Sequence, residues 1–176
     1  MKTALTLALA ASAITCAAHA AEPPKSDEHF SFACRRPTFQ EQYVKPEVVF
    51  GAAQTAGRLS LTDEIWEPQF RVPPHLDQKH AETFFVISGQ VEWTVAGVTR
   101  VLGPGDAVHI PPNTVHSTRV VGGAPMHTLM ISEPGGFDES VAYEARFTAE
   151  ELKDPKLRAL LGDVADFHPA QQPAAK

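Results

Sequence analysis

From about residue 48 to residue 132 the chain is cut by turn material into short runs of β-forming residues, and this punctuation constrains the fold more than any other feature. Ala96-Gly97, Gly103-Pro104-Gly105-Asp106, Pro111-Pro112-Asn113 and Gly122-Gly123 each combine residues that favour tight turns and stop helices. Between such breaks, strands are expected at 47–50, 58–65, 83–88, 91–95, 107–111, 116–121 and 127–132. Apolar and polar residues alternate in Val91-Glu92-Trp93-Thr94-Val95, as a strand with one buried face requires. Many short strands, with no long helical pattern among them, predict an all-β sandwich or barrel.

The two ends read differently. Met1-Lys2-Thr3 carries one positive charge, an apolar run follows from Ala4 to Ala13, and Ala18-His19-Ala20 fits a small-residue cleavage site. Residues 1–20 are therefore expected to be a secretory signal peptide, and the mature chain to be periplasmic or secreted. The run is too short to span a bilayer, which needs about 20 apolar residues, and no later segment reads as a membrane span. With Lys2 removed, 14 basic residues stand against 21 acidic ones, a formal charge of −7. With no Lys/Arg cluster, that balance argues against nucleic acid or an anionic membrane surface as partner. Cys34 is the one cysteine of the expected mature chain, either buried or available for an intermolecular bridge.

The remaining chain suits one domain. Residues 21–44 are read as a polar, Pro-rich leader and first-strand region, 45–135 as the barrel, and 136–176 as a helical extension with a loose tail from Pro169. Thr148-Ala149-Glu150-Glu151 is a capping-box pattern, and Asp154-Pro155 marks a second helix start. Leu157, Leu160 and Leu161 then share a face, with Gly162 as the stop. Two short helices on the outside of the barrel are expected. The stretch 39–50 is a candidate edge for pairing with a second copy, which would make a homodimer.

Two segments place histidine beside carboxylate at strand and turn positions. In the first, His75 and Asp77 point the same way on an extended chain, and Glu82 opens the next apolar strand and faces back if 78–81 form a loop. In the second, running from Gly105 through Pro111, His116 begins a strand after a tight turn. Phe84 shares the parity of Glu82 and is expected inside the barrel. Trp66, Phe70 and Trp93 are expected in the core or at the pocket rim, His109 and His127 as strand residues without chemistry, and Arg119 in solvent.

The spacing of His75, Asp77, Glu82 and Gly89, followed by that of Gly105, Pro111 and His116, resembles the paired motifs of the cupin superfamily. The C-terminal helices are similar to those of small bacterial cupins, including quercetin-dioxygenase-like members. The resemblance implies a jelly-roll β-barrel whose mouth holds a divalent metal ion (Fe, Mn, Ni or Zn) on His75, Asp77, Glu82 and His116. The chain departs from the pattern at several positions. Gln69 stands where the motif has a glycine, Asn113 replaces the turn glycine, and Val120 replaces the closing asparagine. Asp77 stands where the family carries its second metal histidine. Two imidazoles and two carboxylates would neutralise a divalent cation and favour Mn(II) or Fe(II) over softer ions. His80 is an alternative ligand, with Asp77 then supporting it from behind. The resemblance implies an enzyme acting on a small organic molecule, a dioxygenase-like reaction with Glu82 as base. An isomerase or epimerase, or a metal-free binding protein, is compatible with the same barrel.

Overall fold

The computed structural model describes residues 31, 33–39, 43–148 and 150–170. The expected signal peptide, the leader through His29 and the final residues 171–176 lie outside the described residues. Ten strands follow in chain order: β1 (Val44–Phe50), β2 (Ser60–Trp66), β3 (Arg71–Asp77), β4 (Ala81–Ser88), β5 (Val91–Val95), β6 (Val98–Leu102), β7 (Ala107–Ile110), β8 (His116–Val120), β9 (Met126–Glu133) and β10 (Phe167–Pro169). Two helices, α1 (Phe137–Glu144) and α2 (Pro155–Val164), lie between β9 and β10. No helix among the described residues is long and apolar enough to cross a membrane.

The strands form two five-stranded antiparallel sheets, ordered β1-β2-β9-β4-β7 and β10-β3-β8-β5-β6. Chain neighbours such as β3 and β4 lie in different sheets, which is the jelly-roll arrangement expected from the sequence. The space between the sheets is filled by Trp66, Phe84, Val86, Val91, Trp93, Ile110, Met126 and Met130. Trp66, Phe84 and Trp93 form a mutual aromatic cluster with ring centroids 4.7–6.1 Å apart, and Phe70 packs on Trp66 at 4.4 Å. Each such buried ring contributes roughly 2–3 kcal/mol of burial free energy, so the cluster anchors both sheets. The expected interior placement of Phe84 therefore holds.

Turn chemistry fixes the register. Gly89 (φ +80°) closes the β4–β5 turn, where an added Cβ would lie 2.6 Å from the Pro125 carbonyl oxygen. Asn113 adopts φ +60°, the left-handed conformation that Asn tolerates better than most side chains. Its N–H donates to the Asp77 carbonyl at 2.6 Å, pinning the turn before β8 against the end of β3.

Several expectations are corrected. Strands β3, β6 and β10 were not anticipated, because Pro73-Pro74 and Val98-Thr99-Arg100 do not read as strand cores. Pro73 and Pro74 instead sit where the β3–β8 register shifts, the place in a sheet that tolerates missing N–H groups. Pro169 belongs to β10, which pairs with β3, rather than to a loose tail. Around Thr148 only a single turn of 3-10 helix forms (Glu151–Lys153), although the capping box is made: Glu151 accepts from the Thr148 N–H at 2.7 Å, and Thr148 Oγ1 accepts from the Glu151 N–H at 3.3 Å. The other helix, α1, starts at Phe137 with acidic Asp138 and Glu139 in its first turn and was not expected. α2 begins as expected, with Asp154 accepting from the Lys156 N–H, but runs past Gly162 to Val164. Leu161 is buried while Leu160 is exposed, so the three leucines do not share one buried face. Cys34 lies exposed in a 3-10 turn, not in the core. The outer edge of β1 is met by this chain's own residues 37–39, through the Phe39 N–H to Pro46 O and Val48 N–H to Pro37 O bonds.

Candidate metal centre

The candidate ligands come from both sheets. His75 and Asp77 are the two inward residues at the end of β3, and His116 opens β8 directly opposite His75 in the ladder. Glu82 lies near the start of β4 in the other sheet, paired with Ile110 and Ser132. His75, Asp77 and His116 are all buried, with ligand-capable atoms within 4.8 Å of one another. His116 Nε2 is 3.6 Å from Asp77 Oδ2 and 3.5 Å from Glu82 Oε2, and His75 Nε2 is 3.9 Å from Asp77 Oδ2. His75, Asp77 and His116 form the group itself, and Glu82 reaches it through His116.

The imidazoles are oriented from behind. His75 Nδ1 lies 3.0 Å from the Pro73 carbonyl and His116 Nδ1 2.9 Å from the Thr114 carbonyl, so each ring donates its Nδ1–H to backbone. That leaves both Nε2 atoms facing the cluster, where each offers a lone pair once its ring is neutral, the arrangement of metal-ligating histidines. The His75 ring also stacks on Phe167 of β10 (4.2 Å, 20°) and lies 4.0 Å from the His116 ring. His116 is 1% exposed, and its Nε2 has no hydrogen-bond partner among the described residues. Glu82 and Asp77 attract this atom at 3.5–3.6 Å without completing a hydrogen bond. A buried orphan of this kind costs about 1–3 kcal/mol unless something fills its lone pair. A divalent cation would do so, and the residues present fit one.

Electrostatics point the same way. Burial, and next the charge of Glu82, push the Asp77 carboxyl up to about 7. Burial, followed by repulsion from His116, pulls His75 down to about 4. Burial opposes charge on His116 as well, but its contact with Glu82, the Thr114 carbonyl and the two carboxylate charges raise it above the ordinary histidine value. Without an ion, the cluster holds protons where a cation would otherwise balance its charge.

His80, the alternative ligand, is turned elsewhere: its Nδ1 lies 3.2 Å from Asp166 Oδ2. It nevertheless lines one small cavity with Asp77, Glu82, Ser132, Gly136 and Phe137, together with Val164 at the end of α2 and Ala165 just after it. The C-terminal helices therefore border the site rather than only the outside of the barrel, which corrects the expectation for them. His109 bonds Thr83 on the outer face, His127 pairs with Asp63 at 2.6 Å, and exposed Arg119 pairs with Glu92. These three play no part in the cluster.

Two groups escaped the sequence reading. Glu64 is 3% exposed inside the barrel, accepting from Thr62 Oγ1 at 2.6 Å and Trp66 Nε1 at 2.7 Å, and burial raises its pKa. Asp166, 1% exposed at the turn before β10, was hidden because it lies 84 positions from the nearest motif carboxylate, Glu82, and beyond both motifs.

Residues 63–132 match the family model described as a cupin domain. This domain is a cupin. The chain is 42% identical over 73 residues to the quercetin 2,3-dioxygenase of Bacillus subtilis (strain 168). That alignment covers 42% of this chain and 22% of the enzyme, so the chain spans about a fifth of that relative's length. Among solved structures, KdgF from Halomonas sp. superposes with a TM-score of 0.55 at 20% identity, covering 62% of this chain and 98% of that one. An RmlC-like cupin from Shewanella frigidimarina NCIMB 400 superposes with a TM-score of 0.54 at 20% identity, covering 63% and 95%. At these identities the structural likeness establishes the cupin jelly roll and nothing of the chemistry.

Proposed function

We propose that this cupin is an exported, metal-dependent enzyme acting on a small hydroxylated organic molecule, with a dioxygenase-like reaction. The observation that carries the metal is the orphaned, buried Nε2 of His116, beside the inward-facing Nε2 of His75 and two carboxylates. His75, Asp77 and His116 would hold the ion, with Glu82 completing the set from the opposite sheet. Two carboxylates cancel the charge of a divalent cation, and their hard oxygens favour Fe(II) or Mn(II) over Cu(II), with Ni(II) and Zn(II) as further occupants. When bound, the ion supplies Lewis-acid charge that favours the deprotonated form of a substrate hydroxyl. Glu82 Oε2, which reaches the cluster from across the barrel and lies 3.5 Å from His116 Nε2, would take that proton. Phe137 and Val164 border the cavity.

The likeness to a quercetin 2,3-dioxygenase supports the dioxygenase-like reading, and the N-terminal charge, apolar run and Ala-x-Ala site support export to the periplasm or beyond. A homodimer formed along β1 belongs to the same proposal, and it would have to displace residues 37–39 from that edge. The test is metal content by ICP-MS on protein purified without chelator, followed by oxygen uptake against flavonols, diketones and sugars. Stoichiometric Fe or Mn with oxygen consumption on a hydroxylated substrate is expected. A metal content near zero, unrestored by Fe(II), Mn(II), Ni(II) or Zn(II), would refute the proposal.

A further inference from the structure

The ligand-bearing end of β3 is held on its outer side by the C-terminal segment. Strand β10 is the edge of its sheet and pairs with β3 alone. Beyond Pro73 and Pro74, where the β3–β8 register shifts, only His75 has a registered partner in β8, namely His116. His75, Leu76 and Asp77 all pair with β10, opposite Pro169, His168 and Phe167. The Ala170 N–H extends this contact to the Pro74 carbonyl at 2.9 Å. Together with the His116 pairing and the Asn113 N–H on the Asp77 carbonyl, a three-residue strand therefore sets the backbone of two candidate ligands.

Two side chains of the segment extend this hold. Phe167 lays its ring on that of His75, with centroids 4.2 Å apart and planes at 20°. The Pro73 carbonyl, 3.0 Å from His75 Nδ1, fixes one edge of the same imidazole. A hydrogen bond at one edge still allows the ring to swing about that contact, and a stacked face removes the swing. Asp166, 1% exposed at the φ +60° turn into β10, accepts with Oδ2 from the backbone N–H groups of Lys79 (2.5 Å) and His80 (3.2 Å). The ring nitrogens of His168 (Nε2) and His80 (Nδ1) lie 3.0 and 3.2 Å from the same carboxylate. Helix α2 backs the strand closely: a Cβ added at Gly162 would stand 3.1 Å from the Phe167 carbonyl oxygen. One segment thus holds the chain from Pro74 to His80, which carries His75 and Asp77 and leads into Glu82.

We propose that Phe167 and Asp166 are positioning residues for the metal site, Phe167 by fixing the His75 ring and Asp166 by fixing the loop from Gln78 to His80. Docking of the C-terminal segment and binding of the ion are then coupled, and each favours the other by the same factor. The proposal rests on the metal-dependent reading of the site. Groups that orient a ligating histidine change metal affinity by about 10- to 100-fold, and the lower end is expected here because the Pro73 contact remains.

The test reads Zn(II) affinity by competition with a chromogenic chelator, and the visible absorption bands of the Co(II)-loaded protein. Phe167→Leu, which keeps apolar bulk without a flat ring, should bind Zn(II) about tenfold more weakly and alter the Co(II) bands. Phe167→Tyr, which keeps the ring, should match wild type in both. Asp166→Ala should weaken Zn(II) binding by a similar factor. Equal affinity of Phe167→Leu and wild type would overturn the proposal, and so would a loss in Phe167→Tyr as large as that in Phe167→Leu, which marks general packing. Amide hydrogen exchange of the wild-type protein tests the coupling without any variant: saturating Zn(II) should slow the Ala170 and Lys79 N–H groups about tenfold. Unchanged exchange at both overturns the proposal, whatever the variants do. In each of these cases Zn(II) binding by wild-type protein leaves the metal-dependent reading in place. Wild-type protein that takes up no Zn(II), Fe(II), Mn(II) or Ni(II) would overturn both.

Discussion

Asp77→Asn is expected to change the stability of the protein in opposite directions with and without a bound ion. In the ion-free protein the Asp77 carboxyl is pushed from 3.8 up to about 7, first by burial and then by Glu82. Below about pH 4 this carboxyl is protonated whether the chain is folded or not, so it costs the fold nothing. As the pH rises from 4 to 7 the unfolded chain releases this proton freely while the folded chain retains it, and stability falls throughout that window. Above 7 the full cost is present. A shift of about 3 pH units corresponds to about 4 kcal/mol. Glu82 and His116 redistribute their own protons once the Asp77 charge is gone, which returns part of that cost. Asn is nearly isosteric and neutral, so urea unfolding in EDTA should show the variant about 2–4 kcal/mol more stable at pH 8 and equal to wild type near pH 4.

With metal in excess the order reverses. A ligand present at about 1,000 times its Kd adds about 4 kcal/mol to folding, and every tenfold loss of affinity removes about 1.4 kcal/mol. Replacing a charged oxygen ligand by an amide removes the attraction that the cation feels, so Asp77→Asn should lose most of the metal-induced stabilisation. The readout is a pair of urea curves at pH 8, one in EDTA and one with excess Mn(II). Equal stability of variant and wild type in EDTA at both pH values would refute the electrostatic reasoning. Undiminished stabilisation by Mn(II) would remove Asp77 from the ligand set.

His75→Ala and His116→Ala should each reduce ICP-MS metal stoichiometry to near zero while far-UV circular dichroism still reports the barrel, because the aromatic cluster of Trp66, Phe84 and Trp93 carries the core. Asp77→His should raise affinity for Ni(II) or Cu(II) relative to Mn(II), measured by competition with a chromogenic chelator, because imidazole is the softer ligand. Metal affinity of the wild-type protein should rise with pH through about 7, as Asp77 and His116 give up the protons that compete with the ion. Gly89→Ala should lower stability by about 2–4 kcal/mol in thermal or urea unfolding, since the turn needs φ +80° and the new methyl would meet the Pro125 carbonyl.

The barrel was legible because its signals are local. Turn residues between 96 and 123 and the alternation of β5 act within a few positions of where they are read. The candidate ligands were legible because motif spacing fixes which residues face inward at the ends of β3, β4 and β8. What the sequence concealed depends on contacts across the chain. Strand β3 contains two adjacent prolines, and only its pairing with β8 and β10 shows it to be a strand. In β2, Ser60, Thr62 and Glu64 are buried while Leu61 and Ile65 are not, so an assignment by hydrophobic alternation would face this strand the wrong way. The reason is the Glu64 carboxylate, whose two donors, Thr62 and Trp66, share its inward face. Helix α1 gives little helical signal of its own and is held in part by Asp138, whose carboxylate accepts from the Ala52 N–H at 3.2 Å.

The replacement at position 77 therefore has a different meaning in three dimensions from the one its motif position suggests. As a missing histidine it would signal a barrel that has given up its metal. In the folded protein the carboxylate is buried within 4 Å of two imidazole Nε2 atoms, and both of those rings remain fixed by backbone carbonyls with their lone pairs turned inward. A barrel freed from metal binding would be expected to relax this costly arrangement, since a protonated acid near pH 7 and an unpaired buried imidazole nitrogen both oppose folding. On the proposed metal-dependent reading, position 77 would tune the charge of the site: one more anionic ligand, one fewer soft one, and a correspondingly harder ion.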